Sequence, residues 1–409
     1  MNRIRRAAAA LVLAACALSA QIPQQEYRSR RQAARNALDG SVLVLFGRTA
    51  EEMEDHSPAV LQEPHFRYLT GWTAPGAILL LAPDREILFL PPHDPVHEKY
   101  TGPLAAAGDP DIRSVTGFDQ VLPLAQFESQ LARALEASPR IAALPGDRLR
   151  SLAPLREQAD AASVLGPLRA VKSAAEIGLI QRATDVSVEA HLAAWRRMAP
   201  GLAEYQLAAT MTGFMLEHGC EGNAYAPIVA SGPEATILHY SANARRVQAG
   251  ELVLMDVGAE CDGYATDITR TVPVSGRFTP RQRELYEIVL GAQKAAIAAI
   301  RPGATLPQLN RIARDYLDSH GSLARYLNHR ISHGVGLEVH DFPAAASAEP
   351  LQPGMVITVE PGLYIPEEKI GIRIEDTLLV TPGGSRNLSG ALPRESAEIE
   401  RAMERRAGP

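Results

Sequence analysis

Acidic residues stand at the ends of apolar, strand-like segments, and this feature constrains the fold more than any other. The segment from Leu252 to Met255 is wholly apolar, yet Asp256 follows it directly and Asp267 returns eleven residues later. A carboxylate beside an apolar strand is costly unless a partner compensates its charge. The chain must therefore fold so that these acids meet a cation or a hydrogen-bond donor.

The two aspartates flank a predicted β-hairpin. An Asp-Gly turn signal at 262–263 separates two strand-like runs, so residues 252–274 are expected to pair as a hairpin. With a four-residue loop, Asp256 would face Asp267 directly across the pair. Opposite β-carbons are about 4.5–5.5 Å apart, where like charges repel. The hairpin alone leaves two interpretations open: a solvated acid pair or a metal site.

The same anomaly recurs in the C-terminal part of the chain. Glu360 ends the apolar segment "MVITVE" immediately before a Pro-Gly pair. In "GIRIEDTLLV", strand alternation places Arg373 and Glu375 on one face. Three histidines lie within twelve residues of one another, at His329, His333 and His340. Misplaced carboxylates beside clustered histidines favour the metal site.

Four carboxylates and one imidazole can surround two divalent metal ions, which would neutralise the charge of the cluster. Oxygen-rich ligation with one nitrogen and no thiolate favours manganese, with cobalt, iron and zinc as alternatives. The stretch "HEKYT" at 97–101 lacks the second histidine of a His-Glu-x-x-His helix. The sequence therefore excludes the mononuclear zinc protease motif.

Composition and charge limit the class of partner. The chain has 409 residues, of which 46% are apolar and 22% charged, as in a globular protein of two ordinary domains. The formal charge is −6, and removal of the first twenty residues, with three arginines and no acid, leaves 38 basic against 47 acidic side chains, or −9. This balance argues against nucleic acid or an anionic membrane surface as the partner.

The N-terminus predicts a signal peptide over residues 1–20. Three arginines precede fourteen uncharged residues, too few for a stable bilayer anchor, and Ala17 and Ala20 are candidate cleavage points. The stretch "LAAC" at 13–16 also resembles a lipoprotein box, in which Cys16 would carry a lipid anchor. The expected location is extracytoplasmic in a bacterial cell: periplasmic, secreted or lipid-anchored.

Two cysteines, Cys220 and Cys261, follow the predicted signal peptide. They have no Cys-x-x-Cys spacing for zinc or redox chemistry. Both are expected to be buried apolar residues. A disulfide between them remains open in an oxidising compartment.

The pattern of apolar runs divides the chain into two domains. Residues 21–165 alternate helix with the strands "SVLVLF", "AILLLA" and "EILFLP", which is typical of a small α/β domain. In residues 170–400, a capping box formed by Ser173 and Glu176 begins a long helix that ends near Met198. Further helices are predicted at 204–218, 280–300 and 306–320. Strands between them predict an α+β domain of antiparallel hairpins backed by helices.

The sequence resembles the pita-bread metallopeptidases, and within them the aminopeptidase P and prolidase group. The resemblance covers residues 170–385 and is carried, in family order, by "ILHYSAN", "LMDVGAECDGYATDITRTVPVSGRF", "SHGVGLEVHD", "TVEPGLYI" and "GIRIEDTLLVT". The front part is similar to the aminopeptidase P N-terminal domain through "RRQAARNALDGSVLVLFG" and "EPHFRYLTGWTAPGAILLL", although some prolidases share that domain. The resemblance implies a pita-bread (creatinase/aminopeptidase-like) α+β catalytic domain preceded by a smaller α/β domain.

The resemblance also implies a role for individual residues. The implied metal ligands of two divalent ions are Asp256, Asp267, His333, Glu360 and Glu375. Of these, Asp267 and Glu375 would bridge the ions, and His333 and Glu360 would complete the shell of the second one.

Other positions would surround the substrate. The implied catalytic residues near the scissile carbonyl are His239, His340 and Glu360, and the implied lining of the proline-side pocket is His329, Tyr364 and Arg373. The last three also have ordinary structural interpretations, as a packed strand histidine, a core tyrosine and an arginine that neutralises carboxylates.

The function implied by the resemblance is that of an Xaa-Pro aminopeptidase, a metallo-exopeptidase. A hydroxide held by two metal ions would hydrolyse the bond between an N-terminal residue and a following proline, with Glu360 moving the proton. Two alternatives remain: an Xaa-Pro dipeptidase (prolidase), and a non-catalytic pita-bread module that binds peptides. The resemblance further implies a homo-oligomer, either a dimer or a tetramer.

Overall fold

The computed structural model describes residues 22–54, 62–146 and 158–404. The predicted signal peptide over residues 1–20 lies outside this part of the chain. The described residues divide into two compact units, one that ends at Arg169 and one that begins at Ala170. No helix within the described ranges combines the length and the apolar character needed to cross a bilayer.

The first unit is built on a six-stranded mixed sheet. Its helices are α1 (Gln24–Ala37), α2 (Ala50–Glu54), α3 (Pro64–Thr70), α4 (Glu98–Thr101), α5 (Ile112–Thr116), α6 (Phe127–Ala137) and α7 (Ala161–Ala170). Its strands are β1 (Val42–Phe46), β2 (Ile78–Ala82), β3 (Arg85–Leu90), β4 (Val121–Pro123), β5 (Ile141–Ala143) and β6 (Gln158–Asp160).

The strand order in this sheet is β4-β3-β2-β1-β5-β6. Strands β1, β2 and β3 pair antiparallel, and the outer pairs are parallel. The apolar runs predicted as strands are confirmed as β1, β2 and β3. Strands β1 and β2 are almost wholly buried. Helix α6 packs its apolar face, including Phe127 and Leu131, against the sheet. The predicted α/β character of the front domain is therefore confirmed.

The second unit combines helices with four small antiparallel sheets. Its helices are α8 (Ala174–Arg197), α9 (Glu204–Glu217), α10 (Pro280–Ala298), α11 (Leu306–Asp318) and α12 (Ser396–Glu404). Its strands are β7 (Gly222–Asn223), β8 (Ile228–Ser231), β9 (Leu252–Asp256), β10 (Ala259–Cys261), β11 (Tyr264–Ala265), β12 (Thr269–Pro273), β13 (Val356–Val359), β14 (Gly362–Ile365), β15 (Ile370–Arg373), β16 (Asp376–Thr381) and β17 (Gly384–Asn387).

These strands form the sheets β12-β9-β8, β11-β10-β7, β13-β16-β17 and β14-β15. The predicted helices are confirmed to within two residues at their ends. The capping box at the start of α8 is formed, since the Ser173 hydroxyl accepts from the Glu176 amide and the Glu176 carboxylate accepts from the Ser173 amide. This long helix lies against the hairpin that carries the two aspartates.

The predicted register of that hairpin is wrong by two residues. The turn has two residues, not four, because Cys261 pairs with Tyr264. Asp262 and Gly263 both have positive φ, 51° and 74°, as a type I′ turn requires. Asp256 consequently faces Thr269 instead of Asp267.

The corrected register still leaves both aspartates on one face of the hairpin. Hydrogen bonds from Val257 N to Ile268 O and from Thr266 N to Ala259 O continue the same register between the strands. A shift of two residues preserves the face, whereas a shift of one would reverse it. The two aspartates are therefore diagonal neighbours, within reach of each other's side chains.

Cys220 and Cys261 form a disulfide that links the segment before β7 to β10. Both residues are buried, as predicted. The sequence did not decide whether these cysteines pair, and the structure shows that they do. The bridge lies one residue before the hairpin turn.

Candidate metal centre

The five side chains predicted as metal ligands come from separate β segments of the second unit. Asp256 is the last residue of β9, and the other four stand in breaks or loops beside strands: Asp267, His333, Glu360 and Glu375. A side chain at a break is not fixed to the alternation of a ladder, so it can turn toward a common point. Strand breaks thus explain how acids on apolar segments reach one site.

A cavity of about 690 Å³ lies at this point. Its wall includes four of the five predicted ligands, Asp256, Asp267, His333 and Glu360. The rest of the wall combines polar with apolar side chains. The polar ones are Tyr225, His239, Ser241, His329, Arg330, His340, Asp341 and Arg373, and the apolar ones are Ala226, Ile228, Leu238, Val339, Ala344 and Ala345. Such a cavity, in which polar groups converge beside apolar ones, is typical of a small-molecule or peptide site.

Three of the predicted ligands form a compact group. One donor atom from each of Asp267, His333 and Glu375 lies within 4.8 Å of the other two. Nε2 of His333 is 3.5 Å from Oδ2 of Asp267 and 3.4 Å from Oε1 of Glu360. These separations leave room for a cation between the donors.

The orientation of His333 suits metal binding. Its Nδ1 lies 3.0 Å from the carbonyl oxygen of Gly334, so Nδ1 carries the proton and donates to that oxygen. Nε2 faces the carboxylates, and a bound cation would displace its proton and take its lone pair. This arrangement, with one imidazole nitrogen bonded to the protein and the other directed at the site, is usual for metal-binding histidines.

Glu375 provides the clearest test of whether a cation fits. Its Oε2 accepts a hydrogen bond from the Thr269 hydroxyl at 2.7 Å. Its Oε1 is buried, and the described part of the chain offers it no hydrogen-bond partner. A buried carboxylate oxygen without a donor is costly, so its position among further carboxylates fits a metal ion well.

Arg373 compensates part of the negative charge. It is buried, and its Nη2 donates to Oδ2 of Asp256 at 2.6 Å while its Nη1 donates to the Tyr364 hydroxyl at 2.8 Å. Nε2 of His329 lies 2.8 Å from the same hydroxyl. The predicted pocket residues His329, Tyr364 and Arg373 thus form one hydrogen-bonded chain that ends at Asp256.

The acids of the metal-free centre resist ionisation. Burial raises the pKa of Glu360 to about 7. Burial, reinforced by neighbouring carboxylates, also raises the pKa values of Asp267 and Glu375. For His333, burial alone would lower the pKa, but contacts with Asp267 and Glu360 outweigh it and bring the value to about 9. A bound cation would favour the ionised acids that these values disfavour.

His239 and His340 lie at the same cavity. His239 is exposed in a turn that follows the 3-10 helix Gly232–Thr236. His340 is also exposed, and its ring meets that of His333 edge to face with centroids 4.5 Å apart. Both rings therefore stand beside the predicted ligands and in contact with solvent, where a substrate could meet them.

Tyr225 is a residue of the site that was not predicted from the sequence. Its hydroxyl lies 2.6 Å from Oδ1 of Asp256 and 2.5 Å from Oδ1 of Asp267, which places it between the two carboxylates. Burial and the adjacent carboxylates raise its pKa well above the ordinary value. The stretch "NAYAP" contains no motif that could have identified it.

Fold and site together define a hydrolytic metal centre of the pita-bread type. Residues 178–382 match the model of metallopeptidase family M24, and residues 27–142 match that of the aminopeptidase P N-terminal domain. The chain therefore belongs to metallopeptidase family M24, as the resemblance predicted.

Individual relatives agree with this assignment. The chain is 34% identical to the Xaa-Pro aminopeptidase of Haemophilus influenzae, over 95% of this chain and 99% of that protein. It is 40% identical to the Xaa-Pro dipeptidase of Pyrococcus horikoshii, over 59% of this chain and 69% of that protein. Among solved structures, aminopeptidase P from Escherichia coli with the inhibitor Pro-Leu matches with a TM-score of 0.83 and 31% identity, over 94% and 99% of the two chains. The predicted pita-bread architecture is confirmed.

Proposed function

We propose that this protein is a metal-dependent Xaa-Pro aminopeptidase, which removes the first residue from peptides whose second residue is proline. The observation that carries the proposal is the convergence of all five predicted ligands in a unit whose cavity can admit a peptide end. The similarity to Xaa-Pro aminopeptidases over nearly the whole chain supports it. A non-catalytic module would have no need of a complete ligand set.

The proposed cofactors are two divalent ions, with manganese preferred because the donors are mostly carboxylate oxygens. Asp256, Asp267, His333, Glu360 and Glu375 would hold them. Ions bound there supply Lewis acidity and activate water for attack on a peptide carbonyl. Cobalt, iron and zinc remain alternatives.

Within this proposal Glu360 moves the proton. Its carboxylate lines the cavity beside His333 and stands 3.7 Å from Nδ1 of His329. A carboxylate in this position can accept a proton from the attacking water and pass it to the departing proline nitrogen.

Two histidines are proposed to act on the carbonyl side of the reaction. The side chains of His239 and His340 line the cavity. Either can donate a hydrogen bond to the carbonyl oxygen as negative charge develops there. Removal of one donor of this kind typically costs about 10²–10³-fold in kcat.

The substrate's own groups fit this arrangement. The free α-ammonium group would lie against the acidic cluster, which favours cleavage at the end of a chain. The pocket formed by His329, Tyr364 and Arg373 would receive the proline ring, whose rigid shape allows selection by fit.

Prolidase activity is the second candidate, and the identity to the Pyrococcus horikoshii dipeptidase favours it. That match covers less of this chain than the aminopeptidase match does. An assay of Ala-Pro against Ala-Pro-Ala with added Mn²⁺ separates the two candidates. Release of alanine from the tripeptide supports the aminopeptidase, and cleavage confined to the dipeptide supports the prolidase.

We further propose an extracytoplasmic location, either periplasmic, secreted or lipid-anchored, and a homo-oligomeric state of two or four chains. The disulfide between Cys220 and Cys261 supports the location, since disulfides persist in oxidising compartments. Cell fractionation with thiol trapping tests the location, and light scattering of the purified protein tests the oligomer.

A further inference from the structure

We propose that a polar face of helix α8 sets the spacing of the two metal-binding aspartates, with His191 as the principal positioning residue. The inference rests on the metal centre proposed above. The face consists of Thr184, Ser187 and His191, which are fully buried. Their spacing of three and four residues aligns them along one side of the helix.

The hairpin is interrupted at the level where this face meets it. Strand β9 ends at Asp256 and β10 begins at Ala259, while β11 ends at Ala265 and β12 begins at Thr269. The register is the same on both sides of the interruption, so no residue has been inserted. Something other than a change of register must therefore open the ladder here.

The missing ladder contacts identify the cause. In an antiparallel ladder, a hydrogen-bonded pair exchanges two backbone hydrogen bonds. For the pair of Val257 and Ile268, the bond from Val257 N to Ile268 O is formed at 3.2 Å. The carbonyl oxygen of Val257 instead accepts from Nε2 of His191 at 3.0 Å. The helix thus replaces one of the two ladder bonds.

The next hydrogen-bonded pair shows the complementary replacement. Thr266 N donates to Ala259 O at 3.1 Å, whereas Ala259 N donates to the Ser187 hydroxyl at 2.9 Å. The Thr184 hydroxyl lies 2.8 Å from that of Thr266 and links the helix to the second strand as well. In each of these two residue pairs, a hydrogen bond to a helix side chain therefore replaces one of the two backbone hydrogen bonds.

This exchange acts directly on the aspartates. Val257 follows Asp256 in the chain, and Ile268 follows Asp267, so the pair held by His191 carries both ligands. Gly258 stands opposite Asp267, and a β-carbon at this position would collide with the carbonyl group of Thr266. The opened strands leave space for both carboxylates and for the Tyr225 hydroxyl between them.

A purely structural role for His191 makes a different prediction. A histidine that only satisfies a buried carbonyl group would affect the stability of the fold and nothing else. A positioning residue would also change how tightly the aspartates bind metal, and it would lower kcat more than it changes KM. The two roles can therefore be separated by measurement.

The experiment compares His191→Leu, which removes the donor, with His191→Gln, whose amide can donate from a position close to that of Nε2. Mn²⁺ binding to the full-length protein is measured by calorimetry, and kcat and KM are measured with Ala-Pro-Ala. We expect His191→Leu to weaken Mn²⁺ binding by about tenfold or more, the usual range for residues that orient ligands. The glutamine variant should recover most of that loss, and KM should change little.

The matched control is Tyr286→Phe, which removes another buried side-chain donor to a backbone carbonyl, that of Arg394 at 2.8 Å. This control should lose stability and keep its Mn²⁺ affinity. Wild-type affinity and kcat in His191→Leu would overturn the inference while leaving the proposed function intact. Absence of Mn²⁺ binding and turnover in the wild type would overturn both. Should His191→Leu fail to fold, Ser187→Ala replaces it, and unchanged Mn²⁺ affinity there would count equally against the inference.

Discussion

The hydroxyl of Tyr225 lies within hydrogen-bonding distance of Oδ1 of both Asp256 and Asp267. A hydroxyl group has one proton, so it can satisfy only one of the two carboxylate oxygens at a time. The other Oδ1 then lacks this donor, and a bound cation would compensate its charge. We therefore expect the stability of the protein to depend on metal.

Removal of divalent metal should destabilise the protein. Ions that bind only the folded state stabilise it by about 2.7 kcal/mol at a free concentration one hundred times Kd. We therefore expect the melting temperature to rise when Mn²⁺ replaces a chelator, as measured by calorimetry. Asp267→Asn should show a much smaller rise, and an equal rise in both proteins would place the metal elsewhere.

Tyr225→Phe should weaken the metal-free protein more than the metal-loaded one. Loss of the shared donor leaves both aspartates without it, at a cost of about 1–2 kcal/mol in a chelator. A bound cation would compensate the same carboxylates and reduce the loss. Urea unfolding with and without Mn²⁺ measures both values.

The control for this prediction is Tyr240→Phe, which removes a tyrosine hydroxyl from a different carboxylate, that of Glu204 at 2.9 Å. Its loss of stability should be the same with and without metal. If Tyr225→Phe also lost the same amount of stability with and without Mn²⁺, the assigned position of Tyr225 would be contradicted.

From the sequence, it was easier to predict which residues of the proposed metal centre lie together than the geometry that unites them. The acids stood out because each one interrupts or ends an apolar segment. Burying an unpaired charge there would cost a large amount of free energy. The register of the hairpin could not be derived, since it depended on whether Asp262 and Gly263 formed the whole turn. The predicted register was wrong by two residues, an even number, so the two aspartates still lie on the same face of the hairpin as predicted.

Other features had no signal in one sequence. Tyr225 and His191 act through contacts with residues 31 and 66 positions away, respectively, and neither belongs to a recognisable motif. The pairing of Cys220 with Cys261 depends on β7 and β10 lying side by side, which apolar patterns do not reveal. Local chemistry is therefore predictable here, and long-range pairing is not.

The stability of the metal-free protein should depend on pH through Glu360. Burial raises the pKa of this carboxyl to about 7 in the folded protein, above the ordinary value of about 4.3. A carboxyl with a raised pKa holds its proton more tightly when folded, so its contribution is present at low pH. That contribution is lost as the pH rises from about 4.3 to about 7.

Glu360→Gln isolates this effect because the amide stays neutral. In the presence of a chelator, we compare the free energy of unfolding of the variant with that of the wild type. The difference, variant minus wild type, should increase as the pH rises through that window and should level off above it. Urea unfolding at a series of pH values provides the measurement. A constant difference between the two proteins would show that Glu360 ionises normally.

Breaking the buried ion pair next to Glu375 should lower the free energy of unfolding more than breaking an exposed ion pair does. Arg270 and Asp376 are both fully buried, and Nη2 of Arg270 donates to Oδ1 of Asp376 at 2.7 Å. Arg270→Met would remove one of the two arginines that contact the buried Asp376 carboxylate, the other being Arg394 at 2.6 Å. It would also remove the donors to the backbone carbonyls of Leu392 and Pro393, so we expect a cost of about 3–5 kcal/mol. Arg277→Met, at an exposed pair with Glu404, should cost about 1 kcal/mol or less. Denaturant unfolding would contradict this account if the two losses were equal.

Carboxylates from separate strands are proposed to bind the metal on which hydrolysis of the peptide bond depends. The most direct test is the rate at which Mn²⁺-loaded protein releases alanine from Ala-Pro-Ala, compared between the wild type and Asp267→Asn. We predict turnover by the wild type and a loss of more than about a hundredfold in the variant, because even residues that only orient ligands contribute about 10–100-fold. Equal turnover by the two proteins would contradict the claim.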